Sequence, residues 1–87
     1  MFEEKVKLLA NSIADMLIEK NKSYGNSALE PVRIFSKADS IEQLYVRIDD
    51  KLSRIKNGCK FANEDTINDL IGYLFLLKIK LEEKQHG

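Results

Sequence analysis

Asp65 and Asp69 stand four residues apart in a segment whose apolar residues recur at helical spacing. Side chains at that spacing lie one turn apart on the same side of a helix, so two carboxylates there repel each other unless a cation compensates. The cation can be a hard divalent metal such as Mg²⁺, which prefers carboxylate oxygens, or a basic side chain such as Lys51 or Arg54. Asp65 can also serve only as a first-turn acid that complements the helix dipole. The residues alone leave these interpretations open.

A second polar group is predicted on the outer side of the preceding helix, and it consists of Arg47, Asp50, Lys51 and Arg54. Projected at about 100° per residue, these positions point away from the apolar stripe of that helix. In one interpretation they form a solvated face, where Asp50 pairs with the arginines for roughly a few tenths of a kcal/mol. In the other they form a cationic platform for phosphate groups, in which Asp50 holds the arginines in place.

The residues KSYGNS at 22–27 form the third chemically distinctive stretch. They open a predicted irregular loop from 22 to 40, and ordered loops of that length in small domains are usually functional. Tyr24 can stack on a planar base, and Asn26 and Ser27 can bind the polar edge of the base or a phosphate. Alternatively, Tyr24 packs over the core and Asn26 occupies a turn.

Three amphipathic helices are predicted to position these groups. The first runs roughly from Phe2 to Asn21, and Gly25 can take a positive φ where the chain then turns away. The second begins with a capping box of Ser40 and Gln43 and ends at Gly58. The apolar stripe of the first helix consists of Phe2, Val6, Leu9, Ala10, Ile13, Met16 and Leu17, and that of the second consists of Ile41, Leu44, Tyr45, Ile48, Leu52 and Ile55.

The third helix is predicted to begin near Asn63 as its N-cap, and its second half is apolar on two sides. The first apolar stripe of this helix consists of Ile67, Leu70, Ile71 and Leu74. Leu76 and Ile79 project from the opposite side. Because the other two helices cannot cover both sides, we expect a second subunit to cover Leu76 and Ile79. The charged tail that contains His86 is expected to be disordered.

The middle of the 22–40 loop carries a weaker helical signal. Pro31 suits the first position of a helix, and Val32 and Phe35 can anchor a short turn over 31–35 to the core. We therefore expect an all-α fold, with three long helices and a short helical turn in the loop. Oligomerisation is expected to complete the helical bundle.

The composition is that of a single globular domain spanning residues 1–87, with 44% hydrophobic and 32% charged residues. Basic and acidic residues number 14 each, and the zero net charge gives no support for a nucleic-acid or membrane surface. Cys59 is the sole cysteine, which excludes an internal disulfide. The first residues, MFEEKVKLL, carry acidic side chains where a signal peptide carries basic ones. Together these features favour the cytoplasm. A monomer of this size would bury only about 60% of its unfolded surface, which favours a homodimer or higher oligomer.

Three blocks of sequence together resemble a known family. KNKSYGNS at 20–27, RIDDKLSRI at 47–55 and EDTINDLIGY at 64–73 are similar to the signature of the phage-associated nucleotide modification associated domain family, type one. The resemblance covers about residues 6–80 and implies an all-α domain laid out like the nucleoside triphosphate pyrophosphatases of the MazG and dUTPase type. The positions that match the motif residues of the family are Lys22, Tyr24, Gly25, Ser27, Arg47, Asp50, Lys51, Arg54, Asp65, Asp69 and Tyr73.

The resemblance implies a small protein of phages, prophages or their hosts that acts in the host cytoplasm. It would bind a nucleotide or nucleotide-like ligand in a pocket between the 22–35 loop and the second and third helices. The alternative is a Mg²⁺-dependent nucleotide pyrophosphohydrolase with Asp65 and Asp69 as metal ligands. MazG-type enzymes carry a glutamate-rich motif on their first catalytic helix, where this chain offers Asp15 and Glu19, so we favour binding over hydrolysis and assign no catalytic residue. A plain helical interaction protein is the third hypothesis.

Overall fold

The computed structural model describes residues 1–30, 34–58 and 65–86, the last range without the side chains of Asp65 and His86. Three helices account for most of these residues: α1 is Phe2–Ser23, α2 is Ser40–Lys56 and α3 is Asp65–His86. The described ranges contain no strand, so the prediction of an all-α fold with three long helices is confirmed. None of the helices in these ranges combines the length and apolar character needed to cross a bilayer.

Helix α1 ends two residues later than its sequence pattern predicts. The backbone N–H of Tyr24 donates to the carbonyl of Lys20 at 3.0 Å, and that of Gly25 donates to the carbonyl of Lys22 at 3.3 Å. Gly25 and Asn26 then take positive φ values of 71° and 61°. The left-handed conformation predicted for Gly25 is confirmed, and it turns the chain away from the helix axis.

The N-terminus of α2 corrects one prediction. Asp39, not Ser40, is the N-cap, and its side chain accepts a hydrogen bond of 2.8 Å from the backbone N–H of Glu42. A carboxylate is a stronger acceptor than a hydroxyl and interacts favourably with the positive end of the helix, so it takes the capping position. Ser40 is buried in the first turn, and the side-chain amide of Gln43 donates to the carbonyl of Ala38 instead.

The core lies where the second half of α1 and the length of α2 meet α3. Its most buried apolar side chains are Ile13, Leu44 and Ile48. Gly72 allows α1 and α3 to approach closely: a Cβ at that position would lie 3.1 Å from Leu17 Cδ2 and 3.3 Å from Met16 Cε. Glycine at this point therefore sets the spacing of the two helices.

Two further predictions are wrong, and others lie outside the described residues. Phe35 is 95% exposed and does not anchor the loop to the core; the chain bends at 34–35 without forming a helix there. The tail is not irregular, because α3 continues through it to His86. Pro31, Val32 and the expected N-cap Asn63 fall outside the described residues.

Candidate functional site

A cleft of about 600 Å³ opens between the second half of α1, the start of the following loop, the first half of α2 and the middle of α3. Apolar and polar side chains both line it. The apolar walls are formed by Met16, Leu17, Ala28, Leu44, Gly72 and Leu76. The polar groups are Lys20, Asn21, Tyr24, Ser27, Ser40, Gln43, Arg47, Asp69 and Tyr73.

Asp69 lines the cleft and links all three helices. Its Oδ1 accepts a hydrogen bond of 3.0 Å from Lys20 Nζ on α1, and its Oδ2 lies 3.4 Å from Lys51 Nζ on α2. The carboxylate and the Lys51 side chain are mostly buried, at 22% and 14% exposed, whereas Lys20 is about half exposed. The basic partner that the sequence required for Asp69 is therefore present twice.

The two lysines change the ionisation of the cluster. Burial of Asp69 raises the pKa of its carboxyl, but the hydrogen bonds and charges of Lys20 and Lys51 outweigh burial, so the pKa lies below the usual value. The hydrogen bond to Asp69 raises the pKa of Lys20 despite the opposing effect of burial. Asp69 is therefore ionised and Lys20 is charged at neutral pH.

A metal ion beside Asp69 would need several donor side chains close together. Among the described side chains, no three His, Cys, Asp or Glu residues come together as a potential metal site. Both oxygens of Asp69 already face lysine ammonium groups, which a cation would have to displace. The carboxylate of Asp65 lies outside the described side chains, and Asp15 and Glu19 are exposed on α1. The described donors thus form an ion-pair cluster, and the Mg²⁺ site of Asp65 and Asp69 stays a prediction.

Four of the predicted ligand-binding residues line the cleft: Tyr24, Ser27, Arg47 and Tyr73. Tyr24 is mostly exposed, and Ser27 Oγ donates to its carbonyl at 2.9 Å. Arg47 is exposed, and no carboxylate in the described part of the chain pairs with it. Its guanidinium is therefore available to an anionic ligand.

The other predicted ligand-binding residues do not line the cleft. Arg54 pairs with Asp50 at 3.2 Å on the exposed side of α2, as the solvated-face interpretation describes. Lys22 is exposed, and Lys51 reaches the cleft only through Asp69. Asn26 occupies the turn after α1, where its Oδ1 accepts from Asn21 Nδ2 at 3.3 Å.

Sequence analysis missed two residues that build the site. Lys20 lies seven residues after Ile13 and so continues the apolar stripe of α1; a lysine at such a position is the signal that could have identified it. Asn21 holds the loop, since its Oδ1 accepts from the backbone N–H of Ala28 at 2.9 Å and its carbonyl accepts from that of Asn26 at 2.7 Å. An asparagine at a helix end is too common to indicate this role.

Comparison of the chain with protein-family models, curated proteins and solved structures finds no match. The resemblance of the three sequence blocks to the nucleotide modification associated domain family stays a prediction. The proposed function below therefore rests on the geometry of the cleft.

Proposed function

We propose that this protein binds a nucleotide or nucleotide-like ligand in the cleft. The observation that carries the proposal is the combination of apolar walls, two tyrosines and cationic side chains around a volume of about 600 Å³. Small-molecule sites typically enclose about 300–1,000 Å³ and combine apolar walls with a few convergent polar groups. A nucleotide needs these features together, because its base is planar and largely apolar while its phosphate is anionic.

The charge of the cleft supports an anionic ligand. Among the described side chains, Lys20 and Arg47 line it together with one acid, Asp69, and Lys51 adds a third cation next to that acid. Because Asp69 neutralises one positive charge among these three, the described side chains of the cluster keep an excess of positive charge. Arg47 is the cation best suited to a phosphate, since it has no carboxylate partner in the described residues and its planar fork matches phosphate oxygens.

The tyrosines and apolar walls support binding of the base by stacking. Tyr24 exposes most of its ring, and Tyr73 lines the cleft from α3. The nearby side-chain amides are largely used within the chain: Asn21 bonds to Asn26 and Ala28, and Gln43 donates to Ala38. Since stacking tolerates any base, we expect weaker discrimination between bases than between numbers of phosphates.

The test is calorimetric titration of the protein with nucleoside mono-, di- and triphosphates and with the matching nucleosides. We expect Arg47→Ala to raise the dissociation constant of phosphorylated ligands about 10- to 150-fold. This corresponds to the loss of a charge-assisted contact of roughly 1.5–3 kcal/mol. Arg54→Ala is the matched control, because Arg54 lies on the same helix but pairs with Asp50 away from the cleft. Failure of every nucleotide to bind, or equal effects of the two substitutions, would contradict the proposal.

A second experiment distinguishes binding of the nucleotide from its hydrolysis. Incubating the protein with each nucleotide and Mg²⁺, followed by chromatography of the products, detects a pyrophosphohydrolase through release of pyrophosphate or phosphate. We expect retained and unchanged nucleotide. In a phage or prophage, whose host cytoplasm is the proposed location, such a protein would lower the free concentration of its ligand.

We also propose that the protein self-associates as a homodimer or higher oligomer. The support is the number of large apolar side chains that are at least 40% exposed, which occur on all three helices and include Phe2, Tyr45 and Leu74. Of the two residues on which the sequence-based expectation depended, Leu76 lines the cleft, while Ile79 is 40% exposed. Sedimentation that gives a monomer of about 10 kDa at micromolar concentration would contradict self-association.

A further inference from the structure

Lys20 carries its charge beside both tyrosines of the cleft. It lines the cleft together with Tyr24 and Tyr73, and its side chain is 52% exposed. The hydrogen bond to Asp69 is the main cause of the raised pKa of Lys20, and both tyrosines add to it, so their hydroxyls lie within electrostatic range of the ammonium group. The charge of Lys20 therefore faces the same volume as the rings that are proposed to stack on a base.

In the structure, Asp69 is bonded to this lysine. Lys20 Nζ donates to Asp69 Oδ1 at 3.0 Å, and no other carboxylate of the described residues pairs with Lys20. Because Asp69 also lines the cleft, the ion pair borders the volume that a ligand would enter. A phosphate that reaches Lys20 therefore meets an ammonium group that already has an anionic partner.

The two lysine partners of Asp69 differ in their exposure to the cleft. Lys51 is 14% exposed and approaches Oδ2 from α2 without lining the cleft itself. Lys20 is about half exposed, and an ion pair with that much solvent contact is weak. If Lys20 turns away, Asp69 keeps Lys51 as its partner and is not left as an unpaired, largely buried charge. The cluster can therefore release Lys20 while Asp69 stays paired.

A phosphate is a stronger partner for Lys20 than the carboxylate is. A terminal phosphate carries about −1.5 to −2 charges at pH 7 and several strong acceptor oxygens, whereas Asp69 shares its charge between two lysines. We propose that Lys20 is a phosphate-binding residue of the cleft and that Asp69 is an internal competitor, which a ligand phosphate displaces from Lys20. This assignment rests on the nucleotide-binding function proposed above and adds a second phosphate-binding cation to Arg47.

The test is calorimetric titration with the common ribonucleoside monophosphates and the matching nucleosides, at a temperature at which circular dichroism shows each variant folded. Lys20→Met keeps an unbranched side chain without the charge and should raise the dissociation constants of the nucleotides at least about tenfold. Asp69→Asn frees Lys20 and should lower the same constants about threefold. Both variants should leave nucleoside binding within about twofold of the wild type. Asp50→Asn, the same substitution away from the cleft, should change neither ligand class.

A double variant separates competition for Lys20 from a general change in charge. In the Lys20→Met background, Asp69→Asn should improve nucleotide binding less than it does alone, because the lysine for which Asp69 competes is gone. An equal improvement in both backgrounds would overturn the competition. So would weaker binding of nucleotides and nucleosides alike in Asp69→Asn, since it would show that the ligand contacts Asp69 directly.

The failure of this assignment is distinguishable from failure of the proposed function. If Lys20→Met binds nucleotides like the wild type while Arg47→Ala still weakens them, the role of Lys20 is wrong and nucleotide binding stands. A wild-type protein that binds none of the nucleotides would refute both.

A measurement on the unmodified protein decides the exchange if Asp69→Asn folds poorly. The carboxyl carbon-13 resonance of Asp69 should shift when a ribonucleoside monophosphate saturates the protein, because Lys20 leaves the carboxylate, and should stay in place with the nucleoside. A resonance that responds to neither ligand, or alike to both, would overturn the exchange.

Discussion

Replacing Asp69 with asparagine keeps the shape of the side chain and removes the charge that links the three helices. The pair with Lys20 lies half in solvent, so its loss costs at most about 1 kcal/mol. Lys51 is only 14% exposed and loses its sole carboxylate partner among the described residues. Leaving such a cation unpaired costs about 1–3 kcal/mol. We expect the free energy of unfolding to fall by about 2–3 kcal/mol.

Urea denaturation followed by far-UV circular dichroism at pH 7 measures this change directly. A loss of that size should also lower the melting temperature by roughly 10 °C or more in a domain of this length. Asp50→Asn is the matched control, because the Asp50–Arg54 pair is about half exposed at helical spacing and contributes about 0.5 kcal/mol or less. The reasoning is refuted if Asp69→Asn is as stable as the wild type, or no less stable than Asp50→Asn.

The direction of the pKa shifts sets the pH range in which the cluster stabilises the fold. The folded pKa of Asp69 is lowered, so its contribution is complete above its ordinary value of 3.8 and is lost as the pH falls through the lower folded value. The folded pKa of Lys20 is raised above 10.5, so its contribution is complete below that value and is lost as the pH rises through the folded pKa. The stability difference between wild type and Asp69→Asn should therefore be flat from about pH 5 to 10 and shrink below pH 4.

Three further outcomes are expected from the same geometry. A Mg²⁺ titration should leave the melting temperature of the wild type unchanged; a rise that disappears in Asp69→Asn would instead revive the metal interpretation, since a ligand specific to the folded state stabilises it. Asp39→Ala should lower the free energy of unfolding by about 1 kcal/mol through loss of the N-cap, as measured by denaturation. Gly72→Val should lower it by about 1–3 kcal/mol and weaken ligand binding, because its side chain meets Leu17 and Met16 at the wall of the cleft, and calorimetry checks the second effect.

The helices were predictable because the signals that specify them, apolar spacing and capping residues, lie within each helical segment or beside it. The stripe of α2 repeats at helical spacing, and its members Leu44 and Ile48 are indeed in the core. The predicted N-cap of α2 was wrong by one residue, because Asp39 and Ser40 are both good capping residues. The sequence alone does not show which of the two takes the capping position. The prediction that Phe35 lies in the core was wrong because it was inferred from apolar character alone, and single large apolar residues are often exposed.

The cleft was predictable only in part because it depends on how the helices pack. Arg47 was identified from the side of the helix it occupies and from the family resemblance, whereas Tyr73 was identified from the resemblance alone; both line the cleft. Arg54 shares the side of Arg47 along α2, but it lies two turns further on and pairs with Asp50. Helical projection gives the direction of a side chain and carries no information about how far the neighbouring helix extends. Lys20 was missed for the same reason, since its partner Asp69 is 49 residues away.

The irregular loop has a physical role in the proposed site because it lines the cleft and is held at its start and at Glu30. At its start, Asn21 bonds to Asn26 and to the backbone of Ala28. Further along, Glu30 pairs with Lys80 of α3. These polar contacts fix the backbone on which Tyr24 stands, while the ring of Tyr24 remains mostly exposed. A helix continued through this segment would place the next side chains along the axis of α1 and away from the cleft. Ending α1 at a left-handed Gly25 instead brings Tyr24 and Ser27 beside Arg47 and Asp69, so the aromatic and charged groups needed for a nucleotide face one volume.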